Sequence, residues 1–208
     1  MKADDRQQRR SLIQDALASY LLKLEATRYL IVGASPFTIT RSLLAASKRL
    51  SLIDIRADRL DKVRSTVDGE IDLVLVEEGD EFSSFADGSF GGVVYYDVLH
   101  HFPDKRRVLR ETRRVLCNDG HALFVEPNIS TKWMNERDQF GALKDSVYKK
   151  TLLTMLADCG FEVAVHTMSD FIPEAGRDGA VRHYARRLLQ RSSIDPFFRI
   201  YMMARAAG

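Results

Sequence analysis

The chain has 208 residues, of which 45% are hydrophobic and 29% are charged. These are the proportions of a folded globular protein, and they exclude a disordered, collagen-like or coiled-coil chain. The 31 basic residues nearly balance the 29 acidic ones, so the formal net charge is only +2. No overall charge therefore attracts the protein to nucleic acid or to an anionic membrane.

The N-terminal residues are charged where a secretory signal would be apolar. No uncharged run approaches the roughly twenty residues that a membrane span needs. Cys117 and Cys159 fit no metal-ligand spacing, and nothing in the sequence resembles a disulfide scaffold. We therefore expect a soluble cytoplasmic protein that forms one domain over residues 1–208.

Helices alternate with short apolar strands along the first part of the chain. The predicted helices are 11–24, 36–48, 57–67 and 104–116, and the predicted strands are 29–32, 50–55, 71–76, 92–96 and 122–125. Ser35 followed by Pro36 starts the second helix, Asp104 can cap the fourth, and residues 118–120 end it with turn chemistry. Apolar strands that alternate with helices predict an α/β fold whose parallel sheet is covered on both faces.

The last third of the chain has a weaker pattern. It predicts helices over 146–159 and 180–191 and strands over 161–168 and 197–204. No internal repeat and no change in composition marks a second domain.

Ligands of an open parallel sheet bind beyond the carboxyl ends of its strands. Gly33 ends the first strand, and Asp54 closes the second about twenty residues later, where a carboxylate can accept both hydroxyls of a ribose. The alternative is that Asp54 only caps the next helix. The loop GASPFT has Ser35 and Phe37 where a dinucleotide needs glycine, and Pro36 lacks an N–H. The loop sequence argues against a dinucleotide such as NAD or FAD. It argues less strongly against a nucleotide ligand that has no pyrophosphate.

Residues 87–127, DGSFGGVVYYDVLHHFPDKRRVLRETRRVLCNDGHALFVEP, carry a specific combination of motifs. They closely resemble class I S-adenosylmethionine-dependent methyltransferases of the small-molecule "type 11" kind. That pattern runs DGSFD, an apolar strand, LHH, a helix with RE and RVL, a PGG-like turn and a strand ending in EP. LIDIRADRLDKVR, residues 52–64, resembles the family's second strand with its ribose-binding acid. The resemblance covers about residues 27–204 and is strongest in the middle.

The resemblance implies a Rossmann-like sheet of seven mostly parallel strands, with the last strand antiparallel, and S-adenosylmethionine as the cofactor. It divides the chain into an N-terminal helix in 1–26, a cofactor-binding half over 27–127 and an acceptor-side half over 128–208. The implied cofactor contacts are Gly33 and Ser35 at the methionine moiety, Asp54 and Ile55 at the ribose, Gly79, Asp80 and Glu81 beside the adenine, and Tyr95 and Tyr96 on the floor.

The sequence departs from the family at a few positions. The usual acid of the first strand is Ile31, the second and third loop glycines are Ser35 and Phe37, and the aspartate after SF is Gly91. We expect the Phe37 ring in the first turn of its helix, over the cofactor cleft, where it would compete with the methionine tail.

Methyl transfer from a sulfonium depends mainly on an aligned nucleophile, and a base helps when the acceptor is a hydroxyl. His100 and His101 follow the fourth strand and are the candidates for this base. The alternative is that they are an ordinary pair at a helix start. Asp97 could bind a substrate amine or cap the short turn, and Glu126 and Asn128 border the acceptor side.

Two further segments have open interpretations. Trp133, Met134 and Phe140 lie where a lid over the acceptor is expected, although local packing explains them equally well. Residues 182–191 are basic, but a solvated helix face is favoured over an RNA-binding one.

We therefore expect a methyltransferase for a small-molecule acceptor, with no nucleic-acid or membrane partner. Both a monomer and an oligomer are compatible with the sequence. The altered loop favours an alternative, a binding or partner protein that kept the fold and lost catalysis. A dinucleotide oxidoreductase is a third and weaker interpretation.

Overall fold

The computed structural model describes residues 3–34, 37–127, 149–166 and 199–207. In these ranges helices and strands alternate as the apolar pattern predicts. The elements are α1 (Ala3–Leu21), β1 (Arg28–Val32), α2 (Phe37–Ala45), β2 (Arg49–Asp54), α3 (Ala57–Thr66), β3 (Ile71–Leu75), β4 (Phe90–Tyr96), a 3₁₀ helix (Leu99–His101), α4 (Lys105–Val115), β5 (Leu116–Pro127), α5 (Lys149–Asp158), β6 (Phe161–His166) and β7 (Arg199–Ala206).

The seven strands form one sheet in the order β3-β2-β1-β4-β5-β7-β6. β1 to β5 all run parallel to one another. β7 runs antiparallel to both β5 and β6. The prediction of a Rossmann-like, mostly parallel seven-stranded sheet is confirmed. The chain order reverses between β1 and β4, which is the point where such sheets bind ligands.

The core lies in two layers, one on each face of the sheet. Val93 and Tyr95 of β4 face a layer covered by α4 and α5. Val94 and Tyr96 face a layer covered by α1, α2 and α3. Successive side chains of a strand point to opposite faces, so a strand that is apolar at every position is buried on both sides.

Helix α1 supplies a cap for the start of α2. The buried Gln14 side chain accepts a hydrogen bond at Oε1 from the Thr38 N–H, at 3.0 Å. The first N–H groups of a helix have no partner within the helix, so a side chain from elsewhere stabilises them. Ser35 and Pro36, which we predict to start α2, lie outside the described residues.

Close contacts with Tyr29 and Ala26 explain why β4 contains two adjacent glycines. A Cβ atom at Gly92 would lie 2.3 Å from Tyr29 Cε1, and a Cβ at Gly91 would lie 2.9 Å from the Cβ of Ala26. The buried Tyr29 hydroxyl donates to the Leu21 carbonyl at 2.8 Å, which joins β1 to the end of α1. Gly91, where the family has aspartate, is therefore a packing position.

Helix α2 ends earlier than its apolar pattern predicts. The Ser47 N–H donates to the Leu44 carbonyl at 2.8 Å and the Lys48 N–H donates to the Leu43 carbonyl at 3.0 Å. These are the two hydrogen bonds of a Schellman motif, and Ser47 has the left-handed φ of 57° that glycine usually adopts there. The helix ends at Ala45, and the predicted end at Lys48 is wrong.

Strand β5 is longer than predicted. It begins at Leu116, and residues 118–120 belong to it instead of forming a turn. The pairing register with β4 shifts between Phe90 and Gly92, and Asp119 has a φ of 64°. The segment predicted to be a turn is therefore an irregularity within a strand.

Helix α1 begins at Ala3, eight residues before the predicted start at Ser11, and ends at Leu21, three residues before the predicted end. The remaining predicted elements agree to within two residues where the structure describes them. Asp104 caps α4 as predicted, since its Oδ1 accepts a hydrogen bond from the Arg107 N–H at 2.9 Å. The predicted helix over 180–191 and the lid residues Trp133, Met134 and Phe140 lie outside the described residues. No helix in the described ranges is long and apolar enough to cross a membrane.

Candidate functional site

A cavity of about 150 Å³ opens at the carboxyl ends of the strands, beside the point where chain order reverses. Its walls come from the segments that follow four parallel strands. They are Gly33 after β1, Asp54 to Arg56 at the end of β2, Val76 and Glu78 after β3, and Val98 with His101 to Pro103 after β4. Arg59 and Glu81 also line it. The cavity is therefore where the fold predicts a ligand site.

Asp54 is buried and connects two loops of this site. Its Oδ2 accepts a hydrogen bond from the Ala34 N–H and its Oδ1 accepts one from the Arg56 N–H, both at 2.9 Å. Arg59 Nη1 lies 3.7 Å from Oδ2. An ionised carboxylate has about four acceptor positions, so it can accept further donors. Arg56 is itself the N-cap of α3, without a side-chain cap, so the alternative that Asp54 caps this helix is wrong.

Ile55 provides an apolar surface directly beside that carboxylate. Its side chain is 53% exposed, which is unusual for isoleucine in a protein with a well-packed core, and it lines the cavity. Small-molecule sites combine apolar walls with a few polar groups that fix orientation. Asp54 and Ile55 have this combination.

The loop after β3 brings a second buried carboxylate to the cavity. Glu81 accepts hydrogen bonds from the Gly79 N–H at 2.9 Å and from Arg107 Nη2 at 2.6 Å. Burial raises the pKa of Glu81, but these hydrogen bonds outweigh it and hold the pKa below its usual value. Glu81 is therefore ionised and paired near neutral pH. Gly79 and Asp80 are exposed and do not line the cavity.

The two adjacent histidines have different environments. His100 is buried, and its Nδ1 lies 2.7 Å from Glu126 Oε2. His101 is half-buried and lines the cavity. Their rings stack with centroids 4.1 Å apart and planes tilted by 40°. Of the two predicted bases, only His101 faces the cavity.

Tyr95 and Tyr96 are fully buried on opposite faces of β4 and do not line the cavity. The Tyr95 ring stacks on Phe124 with centroids 4.9 Å apart, and its hydroxyl lies 2.6 Å from Thr112 Oγ1. Thr112 donates its own hydrogen to the Val108 carbonyl, so Tyr95 is the donor of this pair. Burial raises the pKa of Tyr95. Both tyrosines therefore support the site from the core.

The loop after β1 is described on both sides of residues 35 and 36. Gly33 has a left-handed φ of 84°, and a Cβ there would lie 2.9 Å from Val98 Cγ2. Phe37 packs against the core layer of α1, α2 and α3, with Lys62 Nζ 5.9 Å from its ring centroid. Since Phe37 does not line the cavity, the prediction that its ring lies over the cofactor cleft is wrong. Ser35 lies outside the described residues.

Comparison with known proteins agrees with this geometry. Residues 30–124, which begin within β1 and end within β5, include most of the cavity wall and match the family model of the methyltransferase domain. The match spans 95 of the 208 residues, a little under half of the chain. No curated protein matches the sequence at a significant level.

Solved structures share the fold of this protein at low sequence identity. An S-adenosylmethionine-dependent methyltransferase from Archaeoglobus fulgidus has a TM-score of 0.64 at 16% identity, over 94% of this chain and 93% of that one. A Burkholderia thailandensis 1,6-didemethyltoxoflavin-N1-methyltransferase, with bound 1,6-didemethyltoxoflavin and S-adenosylhomocysteine, has a TM-score of 0.62 at 16% identity, over 95% and 79%. The cyclase SpnF has a TM-score of 0.59 at 17% identity, over 93% and 80%.

Several residues that line the cavity were not singled out from the sequence. Arg59 comes from the first turn of α3, and Val98 and Phe102 come from the turn after β4. Arg107, the partner of Glu81, lies 26 positions away on α4. Ion pairs across such a distance leave no signal in a single sequence, whereas Val98 and Phe102 flank the LHH motif and could have been included.

Proposed function

We propose that this protein is a methyltransferase that binds S-adenosylmethionine in the cavity and transfers its methyl group to a small organic acceptor. The observation that carries the proposal is the pair formed by Asp54 and Ile55. A buried carboxylate that still has acceptor positions lies beside an exposed apolar side chain, at the carboxyl end of β2. An adenosyl group needs this pair, because its ribose hydroxyls are donors and its base is flat and largely apolar.

The described residues fit the cofactor in three further respects. Gly33 lets the backbone after β1 approach Val98 more closely than a side chain would allow. The Phe37 ring packs towards the helices, so this departure from the family pattern does not fill the cleft. Glu81 is an acceptor that Arg107 holds in place, where it can meet the amino group of the base. The residues therefore accommodate an adenosyl ligand without a pyrophosphate.

The chemistry needs little from the protein beyond position. The bound cofactor supplies an activated methyl group on its sulfonium. The residues of the chain hold the cofactor, exclude water and align the acceptor, which accounts for much of the rate of such transfers. We propose His101 as the group that takes a proton from a hydroxyl or amine acceptor, because it is the histidine that faces the cavity.

The alternative is a protein that binds the cofactor without turnover. The cyclase SpnF has the same fold, so the fold alone does not decide the reaction. Calorimetric titration with S-adenosylhomocysteine tests the binding step, with NAD as the matched comparison. Ligand at a hundredfold over its dissociation constant stabilises the fold by about 2.7 kcal/mol, which a thermal shift detects. A shift with NAD and none with the sulfonium ligands would refute the proposal.

The acceptor class is tested by following a labelled methyl group. The protein is incubated with methyl-labelled S-adenosylmethionine and mixtures of small organic acids, amines and phenols, and separately with RNA and protein. Label that passes a size-exclusion membrane in a new compound supports a small acceptor. Label retained on RNA or protein contradicts it, and binding without any transfer favours the non-catalytic alternative.

A further inference from the structure

Glu126, at the end of β5, is a fully buried carboxylate whose contacts all lie on one turn. Its Oε1 accepts hydrogen bonds from the Val98 N–H at 3.0 Å and from the Leu99 N–H at 2.8 Å. Its Oε2 lies 3.4 Å from the His100 N–H and 2.7 Å from His100 Nδ1. One side chain of β5 therefore binds three consecutive backbone amides and one ring of the turn after β4.

Because a carboxylate oxygen only accepts, the bonds also indicate which ring nitrogen of His100 carries a proton. A backbone N–H can only donate, so both oxygens of Glu126 act as acceptors. An acceptor oxygen at 2.7 Å requires a hydrogen on the facing ring nitrogen, which is Nδ1. His100 is buried and its ring is in contact with the ring of His101. Glu126 therefore fixes the ring of His100, and that ring in turn packs against the ring of His101.

The turn that Glu126 holds forms one wall of the cavity. Val98, His101 and Phe102 line the cavity, and Val98 Cγ2 packs against Gly33. The chain enters this turn through Asp97, which has a left-handed φ of 55°. Such a backbone conformation is unfavourable for a residue with a side chain and persists only where surrounding bonds impose it. The Asp97 N–H donates to the Val125 carbonyl at 2.9 Å, so β5 fixes this residue as well.

We propose that Glu126 is a positioning residue that acts through His100 to hold the ring of His101 against the cavity. The inference rests on the proposed function only for the identity of the ligand. Glu126 has no exposed surface and does not line the cavity, so it does not touch the cofactor or the acceptor. A buried Glu–His pair without a link to the site would have a purely structural role. Here the ring of His100 contacts His101, and His101 lines the cavity.

Glu126→Gln is the informative variant, because glutamine keeps the shape but has one acceptor oxygen in place of two. The single side-chain oxygen of glutamine would then have to accept from the four N–H groups that now bind Glu126. The side-chain NH₂ group would face one of these donors in place of an acceptor. Histidine NMR spectra report ring protonation and the environment of His101, and calorimetry with S-adenosylhomocysteine reports the cavity. We expect loss of the Nδ1 proton on His100, shifted His101 ring resonances and about tenfold weaker binding. Glu111→Gln changes a half-buried, paired glutamate of α4 away from the cavity and is the matched control.

His100→Phe and the double variant complete the test. Phenylalanine keeps a ring beside His101 and removes Nδ1, so it tests the same link if Glu126→Gln fails to fold. A shared route predicts that the double variant binds about tenfold more weakly than wild type, whereas independent effects would multiply to about a hundredfold. Unchanged His101 resonances in both single variants would overturn the proposal. If wild type does not bind S-adenosylhomocysteine, the proposed function fails, and the His101 resonances still decide the positioning role.

Discussion

Replacement of Asp54 by alanine should weaken cofactor binding and lower the stability of the fold together. Hydrogen bonds to a charged acceptor contribute roughly 1.5–3 kcal/mol. Loss of those to the ribose should therefore reduce affinity for S-adenosylhomocysteine roughly ten- to a hundredfold, since 1.4 kcal/mol corresponds to a factor of ten. This part of the effect concerns the ligand alone.

The stability cost comes from the two backbone amides that Asp54 holds. The Ala34 N–H is buried, and leaving a buried donor without a partner costs about 1–3 kcal/mol. The Arg56 N–H is partly buried, and water can replace the carboxylate there. For a chain of this size the melting temperature should fall by about 2–4 °C for each kcal/mol.

Calorimetric titration of Asp54→Ala, performed well below its melting temperature, separates the two effects. Asp72→Ala is the matched control, because Asp72 lies on the neighbouring strand β3, accepts a hydrogen bond from Ser51 and is exposed at the other end of the strands. We expect the control to bind like wild type. Wild-type affinity in Asp54→Ala would refute the assignment of the ribose, and an equal loss in Asp72→Ala would refute its specificity.

Three further substitutions test the packing. Phe37→Ala should cost about 2 kcal/mol in thermal unfolding, below the 3–5 kcal/mol of a fully buried ring, and leave cofactor affinity unchanged; tighter binding would mean that the ring covers the cleft. Gly92→Ala should cost about 3 kcal/mol through its clash with Tyr29, and wild-type stability would contradict this packing. Burial raises the pKa of Tyr29 from 10.0 to about 12, so stability should fall as pH rises between these values, by up to about 3 kcal/mol. Tyr29→Phe should show less of this loss in denaturant unfolding at pH 8 and 11, and an unchanged loss would assign it to other groups such as Tyr95.

Element type was predictable because a parallel sheet buries both faces of its strands, so each strand is a short apolar run between helices. The ends of elements were less predictable. α2 ends at a Schellman motif whose left-handed residue is Ser47, and β5 contains a left-handed Asp119. Glycine is the usual signal for these conformations, and without it the helix pattern continues past its true end.

The position of Asp54 in the site was predictable, because a strand end and its distance from Gly33 can both be counted along the chain. The roles of neighbouring residues were not. His100 and His101 are identical and adjacent in sequence. Glu126, 26 positions after His100, binds the His100 ring in the core, whereas His101 lines the cavity. Tyr95 shows the same limit, since its partner Thr112 is a long-range contact.

The sequence by itself determined the class of fold, the order of its elements and the edge of the sheet where the cavity lies. These follow from periodicity and from short-range spacing. Only the tertiary structure decided which side chains reach that edge, because this depends on contacts between distant segments. Phe37 packs towards the helices because α1 and α3 offer it an apolar surface. Glu126 organises the turn after β4 because strand pairing places the end of β5 beside it.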